Sequence, residues 1–176
     1  MSGNIEIVQG DITKADTDAI VNAANPMMLG GGGVDGAIHR AAGPALLQEC
    51  RKVKAINGIR CPFGEARITS AGILNAKYVI HTAGPIYRNE DHPQQVLACC
   101  YRNCLELALE HQCQSIAFPA ISCGAYGYPL EEAAEIAVKV CSREKYTNIR
   151  IQFFLFSDEL EQIWKKAISQ ITDSES

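Results

Sequence analysis

The chain has 176 residues, 47% of them hydrophobic and 20% charged, with a formal net charge of -4. That balance predicts one globular domain over residues 1–176 and excludes a disordered or low-complexity chain. The acidic surplus argues against a general nucleic-acid-binding surface. The opening residues, Met1 to Ile7, carry neither a basic nor an apolar leader signature, and no apolar run reaches membrane-spanning length. A cytoplasmic location is therefore expected. The eight cysteines are expected to be thiols. They form no Cys-x-x-Cys pair and have no finger-like histidine spacing, so no structural metal is expected.

In chain order, Ile5 to Val8 alternates and stops at Gly10-Asp11, which predicts a strand and a turn. Ala19 to Val21 reads as a short buried strand. A helix is expected from about Val34 through Ala42, and another from Pro44 to Val53 with Leu46, Leu47 and Cys50 on one side. Glu65 to Thr69 and Tyr78 to His81 read as strands. Pro93 opens a helix to about His111, in which Cys100 and Cys104 share a stripe with Leu97 and Ala108 as small buried hydrophobes. The continuous apolar run Ser115 to Phe118 is a fully buried strand. A helix follows from Leu130 to Arg143, then a strand from Ile149 to Phe156. Ser157-Asp158 caps a last helix through Ile171. This alternation predicts a three-layer α/β/α fold around a mixed, mostly parallel sheet. Ligands bind such sheets beyond the carboxyl ends of the strands. The Gly10-Asp11 turn, the glycine loop and the segment after Phe118 should therefore gather at one edge.

The densest chemistry lies in Asn22-Ala-Ala-Asn25 and Gly30-Gly-Gly-Gly33-Val-Asp35-Gly36. Consecutive glycines lose much backbone entropy on folding and make sense where a backbone must approach a ligand closely. Residues 31–36 match G-x-G-x-x-G, but Asn25 to Leu29 is no strand, so a dinucleotide-binding Rossmann unit is rejected. A glycine loop running into a helix start supplies amides and a positive dipole end suited to pyrophosphate. Asp35 adds a carboxylate at the mouth of that loop, a candidate base. The plain alternative is a flexible surface loop.

Phe118 to Pro129 repeats the pattern of strand, small-residue loop and helix start, with Ser122 as a hydroxyl donor. Its plain alternative is a tight β–α turn. Asp11 either accepts from an exocyclic amine or caps a turn. Phe156 either stacks on a base or belongs to the core. His81 reads as structural, at the end of an apolar strand. Cys123 has no histidine near it in sequence and receives no nucleophilic role. Arg51, Lys52, Lys54 and Arg60 read as a solvated surface.

Taken together, Gly10 to Thr13, Val21 to Asn25, Gly30 to Gly43, Gly64 to Ala66, His81 to Pro85, Phe118 to Pro129 and the Phe156 strand end resemble the macrodomain family. Within it they are most similar to the hydrolytic branch, described as O-acetyl-ADP-ribose deacetylases or mono-ADP-ribosyl hydrolases. The matches run in family order across nearly the whole chain. The resemblance implies an α/β/α sandwich holding ADP-ribose in a cleft. It implies that Asp11 binds the adenine amine beside the Ile12 amide, with Phe156 stacking on the ring. Gly32, Gly33, Val34 and the amides of Ser122, Cys123, Gly124, Ala125 and Tyr126 would cradle the diphosphate. Asn22 would join the substrate site, Asn25 would position the distal ribose, and Tyr126 would wall it. Asp35 would hold or polarise the attacking water, and it need not have a raised pKa if a substrate phosphate shares the proton work, since no histidine is noted near the glycine loop in sequence.

The amide cradle explains why no metal or cofactor would be needed, with ADP-ribose present only as ligand or product. Two positions depart from close relatives: Cys123 stands where Thr is usual, and Ala125 where a larger aliphatic is common. Cys123 would add sensitivity to oxidation. The expected partners are ADP-ribose, its esters and mono-ADP-ribosylated proteins. The competing classes are a non-catalytic ADP-ribose reader and an ADP-ribose 1″-phosphate phosphatase. RNA binding is disfavoured by the net charge of -4.

Overall fold

The computed structural model describes residues 3–174. Its six strands are β1 (Ile5–Gln9), β2 (Ala19–Ala24), β3 (Ala66–Ser70), β4 (Tyr78–Ala83), β5 (Ser115–Phe118) and β6 (Arg150–Leu155). They form one sheet in the order β1-β6-β5-β2-β4-β3. All neighbours pair in parallel except β3, which closes the edge antiparallel to β4. The expected mixed, mostly parallel sheet is therefore present.

Five helices cover the two faces: α1 (Gly33–Ala42), α2 (Pro44–Arg51), α3 (Pro93–Glu110), α4 (Leu130–Cys141) and α5 (Asp158–Ser174). Strand residues divide by parity, as period-2 side chains must. Ile20, Ala24, Val79 and Ala83 pack with Ile38, Ala42, Leu46 and Cys50 of α1 and α2. Val21, Ile80, Phe118 and Phe153 pack on the opposite face with α3, α4 and α5. Trp164 of α5 is fully buried there, its ring centroid 5.9 Å from that of Phe153.

The element boundaries shift by a few residues from those expected. Strand β2 runs on to Ala24 and β4 to Ala83, because polar Asn22, His81 and Thr82 are buried within the sheet. Helix α2 stops at Arg51 and α4 at Cys141. Ser157 caps α5 as anticipated, its Oγ accepting from the Leu160 amide at 3.2 Å. Short 3-10 turns at Ile12–Lys14, Tyr87–Asn89 and Glu144–Tyr146 leave too little periodicity to be read from sequence. Among the described residues no helix is long and apolar enough to cross a membrane.

Candidate active site

The five parallel strands each deliver chain to one cleft of about 940 Å³ at their carboxyl ends. β1 delivers Gly10 and Asp11, β2 delivers Asn25, β4 delivers Gly84, β5 delivers Pro119, and β6 delivers Phe156. This is the edge on which a doubly covered parallel sheet collects its ligands. The first turn of α1 and the loop 119–126 form its walls.

The α1 wall is built by close contact. Gly33 has φ +56, in the left-handed region that favours glycine. A Cβ at Gly31 would come within 3.1 Å of Asp35 Oδ2, and one at Gly36 within 2.6 Å of the Gly31 carbonyl oxygen. Small residues thus let the loop fold tightly over the first turn of α1. The first amides of a helix have no partner inside it, so those of Gly33 and Val34 remain for an anion.

The second wall is held differently. Ser122 carries φ +65, an uncommon conformation for a residue with a side chain. Its Oγ donates to the Pro85 carbonyl at 2.7 Å, which ties the loop to the end of β4. A Cβ at Gly84 would collide with Ser122 Oγ and Ile121 Cγ2, so these two loops fit only with glycine there. The Ser122 hydroxyl is consequently a tie, and the expectation that it donates to a ligand is corrected. The Cys123 amide also has an internal partner, donating to the Ala120 carbonyl at 3.2 Å. The first turn of α4 does not line the cleft, so the anion-binding helix start expected after Pro129 is absent from this wall.

On the lining of the cleft, Asp11 caps the Ile12–Lys14 turn. Its Oδ1 accepts from the Thr13 amide at 2.9 Å and the Thr13 hydroxyl at 2.8 Å. Both uses anticipated for it are therefore compatible, since Oδ2 is left to a ligand. The Thr13 hydroxyl, with the amide second, holds the Asp11 carboxyl below its ordinary value. Phe156 is 75% exposed and lines the cleft, so it is not a core aromatic.

Asp35 also lines the cleft but is only 4% exposed. Burial raises its pKa, against the lowering pull of the Asn22 hydrogen bond and of His39. The sequence reading did not require a raised Asp35, but the expected absence of a nearby histidine is corrected. His39 follows one helical turn later and brings Nε2 to 3.4 Å from Asp35 Oδ1. That spacing of four residues on α1 was the available signal.

Asn22 is corrected too. It is fully buried and does not line the cleft; its Nδ2 donates to Asp35 Oδ1 at 2.8 Å. Asn25 does line the cleft, but its side chain organises its own loop. Oδ1 accepts from the Met27 and Met28 amides at 3.1 and 3.2 Å, and Nδ2 donates to the Gly30 carbonyl at 3.1 Å. One Nδ2 hydrogen is left for a ligand.

The remaining expected residues Ile12, Gly32, Gly124, Ala125 and Tyr126 all line the cleft. Burial pushes the Cys123 thiol up to about 12, which keeps it protonated and counters the expected oxidation sensitivity. His81 is buried and structural, as expected. Sequence reasoning missed Gly84 and Ile121, whose roles depend on contacts between loops distant in sequence.

Residues 21–137 match the Macro domain family. The chain belongs to the macrodomain family. This macrodomain is 61% identical over 166 residues to a macro domain-containing protein of Vibrio parahaemolyticus, covering 94% of this chain and 98% of the relative. It is 59% identical over 174 residues to the O-acetyl-ADP-ribose deacetylase of Cronobacter turicensis, covering 97% and 98%. The Oceanobacillus iheyensis macrodomain solved with ADP superposes with a TM-score of 0.91 at 45% identity, covering 97% of this chain and 92% of that one. The Trypanosoma brucei macrodomain in complex with ADP-ribose gives 0.82 at 40% identity, covering 94% and 69%.

Proposed function

We propose that this macrodomain is an O-acetyl-ADP-ribose deacetylase that hydrolyses the ester at the distal ribose. The relatives' names and the ADP-ribose in a structural neighbour supply the substrate class. The observation that carries the assignment is Asp35, a carboxylate 4% exposed beside the amides of α1. A module that only bound a diphosphate would gain nothing from a second anion buried next to it. A hydrolase needs a base there.

In this reading the diphosphate lies between the first amides of α1 and those of Gly124 to Tyr126. Asp11 and Phe156 take the adenine, and the free Nδ2 hydrogen of Asn25 takes a distal ribose oxygen. Water gives a proton to Asp35 as its oxygen bonds to the acyl carbon. The tetrahedral species then expels the ribose oxygen, which takes the proton back. Acetate and ADP-ribose are released. The raised pKa of Asp35 brings this base closer to the operating pH, which is what general-base catalysis favours. The same step on an ester to an Asp or Glu side chain would release mono-ADP-ribose from a protein, and it calls for no metal.

The test follows acetate and ADP-ribose released from O-acetyl-ADP-ribose, with chelator present, by wild type and Asp35→Ala. A protein mono-ADP-ribosylated on acidic side chains serves as the second substrate. Release by wild type alone supports the hydrolase. ADP-ribose binding without release from either substrate would make the chain a reader. Release of inorganic phosphate from ADP-ribose 1″-phosphate would make it the phosphatase.

A further inference from the structure

The face of the sheet beneath α1 and α2 carries a buried polar row across three adjacent strands. Asn22 of β2 pairs in register with His81 of β4, and Thr69 of β3 pairs with Val79, two residues from His81 on the same face. All three side chains are buried. The row ends at Asp35. Its hydrogen bonds have a definite direction. Thr69 Oγ1 donates to the Ser70 carbonyl at 3.0 Å, which commits its only hydrogen. It can therefore only accept from His81 Nε2, 3.0 Å away, a nitrogen that the weaker Cys50 thiol also approaches at 3.7 Å. The Thr69 contact places the imidazole hydrogen on Nε2 and leaves Nδ1 as a bare acceptor. Asn22 Nδ2 lies 3.1 Å from Nδ1 and 2.8 Å from Asp35 Oδ1. One amide nitrogen thus gives its two hydrogens to two acceptors, while Asn22 Oδ1 is buried with no partner. An orphaned buried oxygen is a cost that a free amide would relieve by turning over. Turning over would set that oxygen against the Asp35 carboxylate.

We infer that His81 is a positioning residue: its Nδ1 acceptor locks the Asn22 amide so that Nδ2–H faces Asp35 and holds its carboxylate ionised and aimed. The tautomer is the device, and Thr69 sets it. Burial, with the charge of His39 second, pushes the His81 pKa down to about 3, so the ring stays neutral through the working range. The other groups facing Asp35 are His39 on α1, Cys50 on α2 and Tyr126 of the second wall; the structure gives none of them a contact with the Asn22 amide. The inference rests on Asp35 being the base of the proposed reaction, but the state of Asp35 can be read without turnover.

The experiment compares wild type, His81→Leu, His81→Asn and Thr69→Val in the full chain. Leu removes the acceptor. Asn places an amide oxygen near the former Nδ1 and restores an acceptor. Thr69→Val keeps the shape and removes the group that selects the tautomer. Asp35 is titrated by carboxyl-carbon NMR in all four, alongside kcat, KM and ADP-ribose affinity. His81→Leu is expected to raise the Asp35 pKa and move the acid limb of kcat to higher pH. It is expected to lower kcat by about 10- to 100-fold, the scale of one hydrogen bond to a charged group, with ADP-ribose affinity retained. His81→Asn is expected to recover most of both, and Thr69→Val to shift in the same direction by less. An Asp35 titration unchanged in both His81→Leu and Thr69→Val overturns the inference. So does a titration shifted equally in His81→Leu and His81→Asn. If His81→Leu does not fold, the Thr69→Val and His81→Asn titrations decide in the same way. A wild type that hydrolyses nothing defeats the proposed reaction, while the NMR titration still tests the lock.

Discussion

Two aspartates line one cleft and differ in every respect but their chemistry. Asp11 is exposed, caps a turn, and is held below the ordinary carboxylate value by the Thr13 hydroxyl and then its amide. Asp35 is buried, faces an amide and an imidazole, and is raised because burial outweighs both. The first is a fixed negative charge suited to recognition. The second is the proton acceptor of the proposed reaction, and the fold disfavours its ionised state. In that proposal environment, rather than residue type, divides binding from chemistry.

The largest effect is expected from Asp35→Ala. Turnover of O-acetyl-ADP-ribose is expected to fall by about 10²–10⁴-fold, the usual worth of a general base. Calorimetry should show ADP-ribose binding at least as tightly, since an anion near the diphosphate has gone. Parallel losses of turnover and binding would make Asp35 structural.

The proposed adenine contacts should show the opposite pattern. Phe156→Ala is expected to weaken ADP-ribose binding by about 1–3 kcal/mol, the scale of base stacking on an aromatic ring, with kcat kept. Asp11→Ala is expected to weaken binding by about tenfold, on the scale of one charge-assisted hydrogen bond, and to raise KM alone. A fall in kcat for either would erase the distinction between binding and chemistry.

The smallest effect is on stability. A carboxyl raised by folding favours the folded state below its unfolded pKa, and that contribution is lost as pH rises through the folded value. Asp35→Asn removes the ionised form. It is therefore expected to raise Tm near neutral pH, with the gain vanishing below the ordinary aspartate range. Thermal scans of both proteins across pH check the sign.

Much of this arrangement was legible in the sequence. Strands such as β5 and helices such as α3 declare themselves by apolar continuity or period, and the glycine loop announces a close backbone approach. The loop walls were legible as segments, because one directly follows β5 and the other is a run of glycines leading into α1. The supporting contacts were not. Ser122 looks like a donor until Pro85, 37 positions away, is seen to take its hydrogen. Asn22 looks like a ligand contact because it shares a motif with Asn25, yet β2 turns alternate residues inward and buries it. His81 reads as a core histidine, and it is one. Only the register of β2 against β4 places it behind Asn22. Such facts belong to pairings between strands, which local pattern does not encode.

The lone tryptophan has a practical consequence. Trp164 lies wholly buried against Phe153, on the far side of the sheet from α1. Its indole is shielded from water in the native state, so its emission should be blue-shifted and should move red only when α5 leaves the sheet. Intrinsic fluorescence is thus a clean reporter of global unfolding and nearly blind to nucleotide in the cleft. Denaturation curves of the variants above can be taken with ligand present without an optical signal from occupancy.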